Sequence, residues 1–249
     1  MAFTIALAGK GGVGKTTIAG MLIKYMVKHK KTPILAVDAD SNYNLNEVLG
    51  VKVTDTLGNA REDMKKGTVP SGMTKDIFIS MRLEEAVIEA SDYDLIVMGQ
   101  PEGTGCYCAA NTLLVNCLER LSDNYPYIVL DNEAGMEHIS RLTTKNVDAL
   151  IIVADASRRG LQAGFRISEL ASELHIGVVK KYLILNQVKD GIPEEMKRLI
   201  AEQGIEFAGV VPEDGELYDY DAKGLPTIGM PEENPAVQAA FKIFDRIFS

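Results

Sequence analysis

Cysteine is scarce: three in 249 residues. So few thiols, and an odd number of them, exclude a disulfide framework and point to a reducing compartment where cysteine does something other than staple. No apolar run approaches the ~18 residues a membrane-spanning helix needs. Basic residues are also in deficit, 26 Lys and Arg against 35 Asp and Glu for a formal net charge of −9, so the surface as a whole repels nucleic acid and anionic lipid. The opening stretch MAFTIALAGKGG lacks the basic start and small-residue cleavage site of a secretory signal. It reads as the first strand of a cytoplasmic protein. Linkers, low-complexity segments and internal repeats are absent as well.

What is present is an alternation of apolar strand-like runs with helix-length amphipathic segments from end to end, the pattern of a parallel sheet covered by helices on both faces. We expect one α/β domain over residues 1–249, long enough to bury a core unaided. Strands are expected at Thr4–Ala8, Pro33–Val37, Asp94–Met98, Tyr127–Leu130, Ala149–Ala154, Tyr182–Leu185 and Glu206–Val211. Helices are expected at Lys15–His29, Ala109–Leu121, Gly160–Leu174, Pro193–Gln203 and Pro235–Phe248, the last with Asn234 as N-cap and Pro235 at its first position. Residues 51–90, with Pro70-Ser71-Gly72 and a helical-looking Arg82–Glu89, read as an insertion at the sheet's edge or top.

Gly9-Lys10-Gly11-Gly12-Val13-Gly14-Lys15-Thr16 matches the phosphate-loop pattern in full, directly after a strand and before a helix. In such a loop Gly11, Gly12, Val13 and Gly14 present backbone N–H groups to phosphate oxygens, and the following helix, with Thr17 in its first turn, adds its positive end. Lys15 supplies charge to the β- and γ-phosphates; the Thr16 hydroxyl suits Mg2+. Asn186-Gln187-Val188-Lys189-Asp190 is out of register for the guanine-reading N-K-x-D signature, which favours ATP over GTP.

A loop reading KGGVGKT, with the additional Lys10, resembles the deviant Walker A motif of the ATPases that include MinD, ParA and the nitrogenase iron protein. The resemblance implies that Lys10 crosses a dimer interface to the partner's nucleotide, making ATP the glue of a homodimer. Val37-Asp38-Ala39-Asp40 resembles the first switch, with Asp40 orienting or deprotonating the attacking water and Asp38 one remove from Mg2+. Tyr127-Ile128-Val129-Leu130-Asp131 has the Walker B form, and its continuation Asn132-Glu133-Ala134-Gly135 resembles the second switch. By that resemblance Asp131 holds Mg2+ through water and Gly135 offers an N–H to the γ-phosphate. Asn186 resembles the family's purine reader, and the segment through Val211 and Pro212 resembles the one that lines the base. Where the family often places Pro or Gly, this chain has Glu133.

Between the expected third and fourth strands lies Met98-Gly99-Gln100-Pro101-Glu102-Gly103-Thr104-Gly105-Cys106-Tyr107-Cys108. Two cysteines at i and i+2 on extended backbone would project to one side, within reach of one metal ion, and thiolates are soft ligands suited to Zn2+, Cu+ or Ni2+. The alternative is a pair of small buried cysteines; the glycine-rich loop favours exposure. The CYC segment together with Ala134-Gly135-Met136-Glu137-His138 is similar to the CooC and AcsF type of nickel-binding ATPase within the larger family. That resemblance implies Ni2+, with Zn2+ as its rival, held by Cys106 and Cys108 of two protomers and delivered to apo carbon monoxide dehydrogenase or acetyl-CoA synthase. A MinD- or ParA-like positioning ATPase and an iron-protein-like electron-transfer ATPase are the competing readings; neither nucleic acid nor membrane is expected as a partner. Cys117 and the apolar face Phe241, Phe244, Ile247 and Phe248 read as core packing, and His29 as structural.

Overall fold

A computed structural model describes residues 2–65, 69–100, 107–135, 146–174 and 177–249, with 64–65, 75–76, 107–111 and 146 described by backbone alone. Eight strands form one sheet: β1 (Phe3–Gly9), β2 (Ile34–Ala39), β3 (Val87–Glu89), β4 (Tyr93–Val97), β5 (Tyr127–Asn132), β6 (Asn146–Asp155), β7 (Gly177–Val188) and β8 (Glu206–Pro212). Their order across the sheet is β3-β4-β2-β5-β1-β6-β7-β8. Every pairing is parallel except β3 with β4.

Side chains alternate across each strand, so each strand feeds two cores. Ile5 and Leu7 of β1, with Ile34 and Ala36 of β2 and Tyr182 and Ile184 of β7, pack on one face. Their neighbours Ala6, Ala8, Leu35, Val37, Leu183 and Leu185 pack on the other. The first face is covered by α1 (Lys15–Lys28), α2 (Leu45–Leu49) and α9 (Pro235–Ile247). On the second lie α3 (Leu57–Lys65), α4 (Lys75–Glu85), α5 (Tyr107–Leu121), α6 (Arg158–Glu173) and α7 (Glu194–Ala201). A short α8 (Gly215–Ala222) follows β8.

The expected mostly parallel α/β architecture is the one observed, with two corrections. Residues Arg82–Glu89 are not one helix: α4 stops at Glu85, Ala86 caps it, and Val87-Ile88-Glu89 pairs antiparallel with β4 at the sheet edge. Two β-branched residues, with Ile88 buried and Glu89 exposed, suit a half-covered strand better than a helix. Arg82 ties this segment down, its guanidinium lying 2.8 Å from Asp55, 2.8 Å from Asp63 and 2.6 Å from Glu85. The second correction concerns the cysteine pair. Tyr107 and Cys108 open helix α5, so the backbone is not extended through the second cysteine; Cys106 lies outside the described residues.

At the C-terminus, Asn234 Oδ1 accepts from the N–H groups of Ala236 and Val237, with Pro235 at the first helical position as the sequence suggests. Phe244 and Ile247 of α9 are buried against the sheet, while Phe241 and Phe248 pack around Tyr25 of α1. His29 ends α1, its Nδ1 2.9 Å from the Tyr25 carbonyl. Cys117 is core, 1% exposed, and burial pushes its thiol up to about 12, outside the range of reactive or metal-binding thiolates at neutral pH.

Candidate nucleotide-binding site

All seven parallel strands end at one rim, and the loops leaving that rim enclose a cavity of about 1350 Å3. Open α/β sheets place ligands there because the strands' carboxyl ends and the helix N-termini converge at that edge. The loop after β1 carries Gly12 at φ 79 and Gly14 at φ 82, both in the left-handed region that side chains resist. Among the described residues a Cβ on Gly12 would meet nothing within 4 Å, and Gly12 lines the cavity. Gly11, Gly14, Lys15, Thr16 and Thr17 line it too, whereas Val13 is buried beneath the loop and exposed Lys10 is not among the lining residues.

Lys15 is 8% exposed, and its Nζ donates to the Lys10 carbonyl at 3.3 Å. Burial lowers its pKa, opposed by the nearby carboxylates of Asp131, Asp40 and Glu133. The register of β2 on β5 sets Asp38 beside Asp131. Asp38 is fully buried and accepts from the backbone N–H groups of Asp40 (3.1 Å), Asn44 (2.9 Å) and Leu45 (2.8 Å). Despite those bonds, burial and then repulsion from Asp131 push its carboxyl up to about 7. Asp131 is raised to about 6, chiefly by burial, with a hydrogen bond from Thr16 and the Lys15 charge pulling the other way.

Among the described residues the Oδ1 of Asp131 is buried with no hydrogen-bond partner. An acceptor hidden from water and left unpaired is costly, and here it lies beside a hydroxyl already bonded to the same carboxylate. That is the donor set of a hydrated Mg2+, so the residues present fit the ion that a phosphate loop brings with its nucleotide. Asp40 lines the cavity, its Oδ1 accepting from Asn42 N at 2.8 Å. Gly135 N–H donates to Gly9 O at 3.4 Å, which sets Gly135 against the end of β1. Asn132 fixes the same junction, its Nδ2 donating to Leu7 O at 2.8 Å.

On the far wall Asn186 and Pro212 line the cavity, while the Val211 side chain is fully buried in the core, so this position has only its backbone to offer the base-lining segment. Several lining residues escape sequence reasoning: Glu47 and Val48 of α2, Gln187, Tyr218, Asp221 and Leu225. The one legible signal among them is Pro212-Glu213-Asp214-Gly215, since Asp214 caps α8 by accepting from Leu217 N at 2.9 Å. Among the described residues no group of three or more His, Cys, Asp and Glu could hold a metal by protein ligands alone. Cys106 and His138 are not among them, and the Cys108 side chain is not described.

Strand, glycine loop, buried lysine and paired aspartates define a P-loop nucleotide-binding protein. The chain belongs to the CobQ/CobB/MinD/ParA nucleotide binding domain family, whose model matches residues 4–228. An uncharacterized ATP-binding protein of Methanocaldococcus jannaschii is 42% identical, with 98% of each chain covered. The carbon monoxide dehydrogenase accessory protein CooC of Rhodospirillum rubrum is 31% identical over 89% of this chain and 88% of its own. Among solved structures, the septum site-determining protein MinD of Pyrococcus horikoshii, complexed with Mg-ADP, shares the fold with a TM-score of 0.74 at 22% identity, covering 99% of this chain and 96% of that one.

Proposed function

We propose that this ATPase is a metallochaperone: an ATP-dependent homodimer that binds Ni2+ between two copies of Cys106 and Cys108 and delivers it to an apo-enzyme such as carbon monoxide dehydrogenase or acetyl-CoA synthase. The carrying observation is where the helix that begins with Cys108 in its first turn leaves the sheet. Cys108 stands in the first turn of α5, which follows β4, a parallel neighbour of β2. β4 ends at the same rim as the phosphate loop and Asp40, so a nucleotide-driven change there can reach the start of α5 and Cys108. The relationship to CooC supports the same reading.

Lys15 and the loop N–H groups bind the triphosphate, Lys10 reaches the nucleotide of the facing copy, and Asp40 positions the attacking water. Thr16 and Asp131 would hold Mg2+, which when bound neutralises charge on the transferred phosphoryl group. Two thiolates leave Ni2+ incompletely ligated, so four sulfurs require two chains. Loss of ATP contacts then loosens the dimer and with it the metal site. The Cys106→Ala/Cys108→Ala protein should lose high-affinity Ni2+ binding in anaerobic equilibrium dialysis while keeping ATP affinity, measured without Ni2+ so that no coupling acts, within about twofold. Undiminished nickel binding by that protein overturns the site.

A second reading, a MinD-like positioning ATPase, draws support from MinD relatives of 25% and 24% identity in Buchnera aphidicola and Bacillus subtilis. Here, however, the apolar face of α9 is already packed on the sheet and on α1. Among the described residues no helix is long and apolar enough to cross a membrane. Nucleotide-dependent sedimentation with anionic vesicles would favour this second reading over the first.

A further inference from the structure

The β7–β8 ladder loses register between Leu185 and Val188. Within that break Gln187 holds φ 58, a left-handed conformation that a residue with a side chain keeps only where its surroundings impose it. Irregularities of this kind beside a site re-aim a side chain. The side chain aimed here is Asn186, 3% exposed, whose Nδ2 donates to the Val13 carbonyl at 2.9 Å across 173 residues of chain. Val13 lies between Gly12 and Gly14, the two left-handed glycines whose backbones have the most freedom to turn. A planar trans peptide points its C=O and the next N–H in opposite directions. Holding the Val13 carbonyl toward Asn186 therefore holds the Gly14 N–H away from it.

We propose that Asn186 is a positioning residue for the phosphate loop: it fixes the Val13–Gly14 peptide so that the loop's amides are set before phosphate arrives. This role is additional to any contact with the base and rests on the ATP-binding reading above. A residue that only reads the base matters to ATP and not to a ligand without one. The discriminating probe is inorganic tripolyphosphate with Mg2+, measured by calorimetry beside ATP for wild type, Asn186→Ser and Asn186→Leu. Loss of one buried hydrogen bond should weaken tripolyphosphate binding about tenfold in both variants, and ATP binding at least as much. Weaker ATP binding with tripolyphosphate unchanged makes Asn186 a base contact alone and overturns the proposal, as does no change in either. Should Asn186→Leu fail to fold, Asn186→Ser decides: tripolyphosphate affinity unchanged in that variant counts against the proposal. A wild-type chain that binds neither ligand sinks the ATP reading itself, an outcome separate from any loss confined to the variants.

Discussion

Gly14→Ala should abolish measurable nucleotide binding, a loss of at least about 100-fold, while leaving most of the sheet intact. Two independent effects combine at this position. The residue sits at φ 82, where any L side chain pays on the order of 1–2 kcal/mol. The new Cβ would also fall 2.4 Å from Asn186 Nδ2, far inside contact distance. Relief requires that Asn186 swing away, and its 2.9 Å bond to Val13 breaks. The strain is thus passed to the Val13–Gly14 peptide, whose Gly14 lines the cavity, and to the N-cap of α1, which Gly14 occupies. Isothermal calorimetry with ATP checks the loss, and circular dichroism checks that the fold survives. Wild-type affinity in the Gly14→Ala protein would mean that the loop does not bind phosphate in this conformation.

Asp131→Asn should cut ATP turnover at least about 100-fold, by removing the carboxylate that would hold the Mg2+ needed to neutralise the transferred phosphoryl group, and should at the same time make the unliganded protein more resistant to heat at alkaline pH. The second effect follows from the direction of the pKa shifts. Asp38 at about 7 and Asp131 at about 6 lie above the ordinary carboxylate value of 3.8, so between pH 4 and 7 the folded chain holds more protons than the unfolded chain. Stability of the unliganded protein therefore falls as pH rises through that window, and above it the full cost of two buried neighbouring charges is present. Replacing one of them by a neutral amide removes much of that cost. Thermal melts of wild type should show a higher midpoint at pH 6 than at pH 8, a gap that narrows in Asp131→Asn. Mg2+ with ADP should stabilise wild type more at pH 8 than at pH 6, because the cation needs ionised carboxylates. A wild-type midpoint that rises from pH 6 to pH 8 would contradict this electrostatic picture of the site.

The parts of the site that are contiguous in sequence were legible there. Gly9 through Thr17 form a loop whose function depends on local backbone conformation and on the strand and helix flanking it. Asp38, Asp40 and Asp131 each end an apolar run, so they had to reach the rim where parallel strands end. The parts assembled by tertiary packing were not legible. Glu47, Gln187, Tyr218 and Asp221 come from three separate segments and meet only because α2 and α8 flank the same cavity. The bond from Asn186 to Val13 spans 173 residues and depends on an irregularity in the β7–β8 pairing that no periodicity announces. Val211 and Pro212 differ for a related reason: strand alternation turns the Val211 side chain into the core and leaves Pro212 on the cavity wall. At the sheet edge, Val87-Ile88-Glu89 is too short for a period to distinguish strand from helix, and pairing with β4 decides it.

If two chains joined by ATP complete one nickel site, an anaerobic Ni2+ titration followed by analytical ultracentrifugation, run with and without Mg2+-ATP, should find a dimer in the presence of ATP that binds one Ni2+ per two chains, with ATP and Ni2+ each tightening the other's binding as linkage requires. A chain that stays monomeric with both ligands, or that binds nickel equally well as a lone monomer, contradicts the shared site.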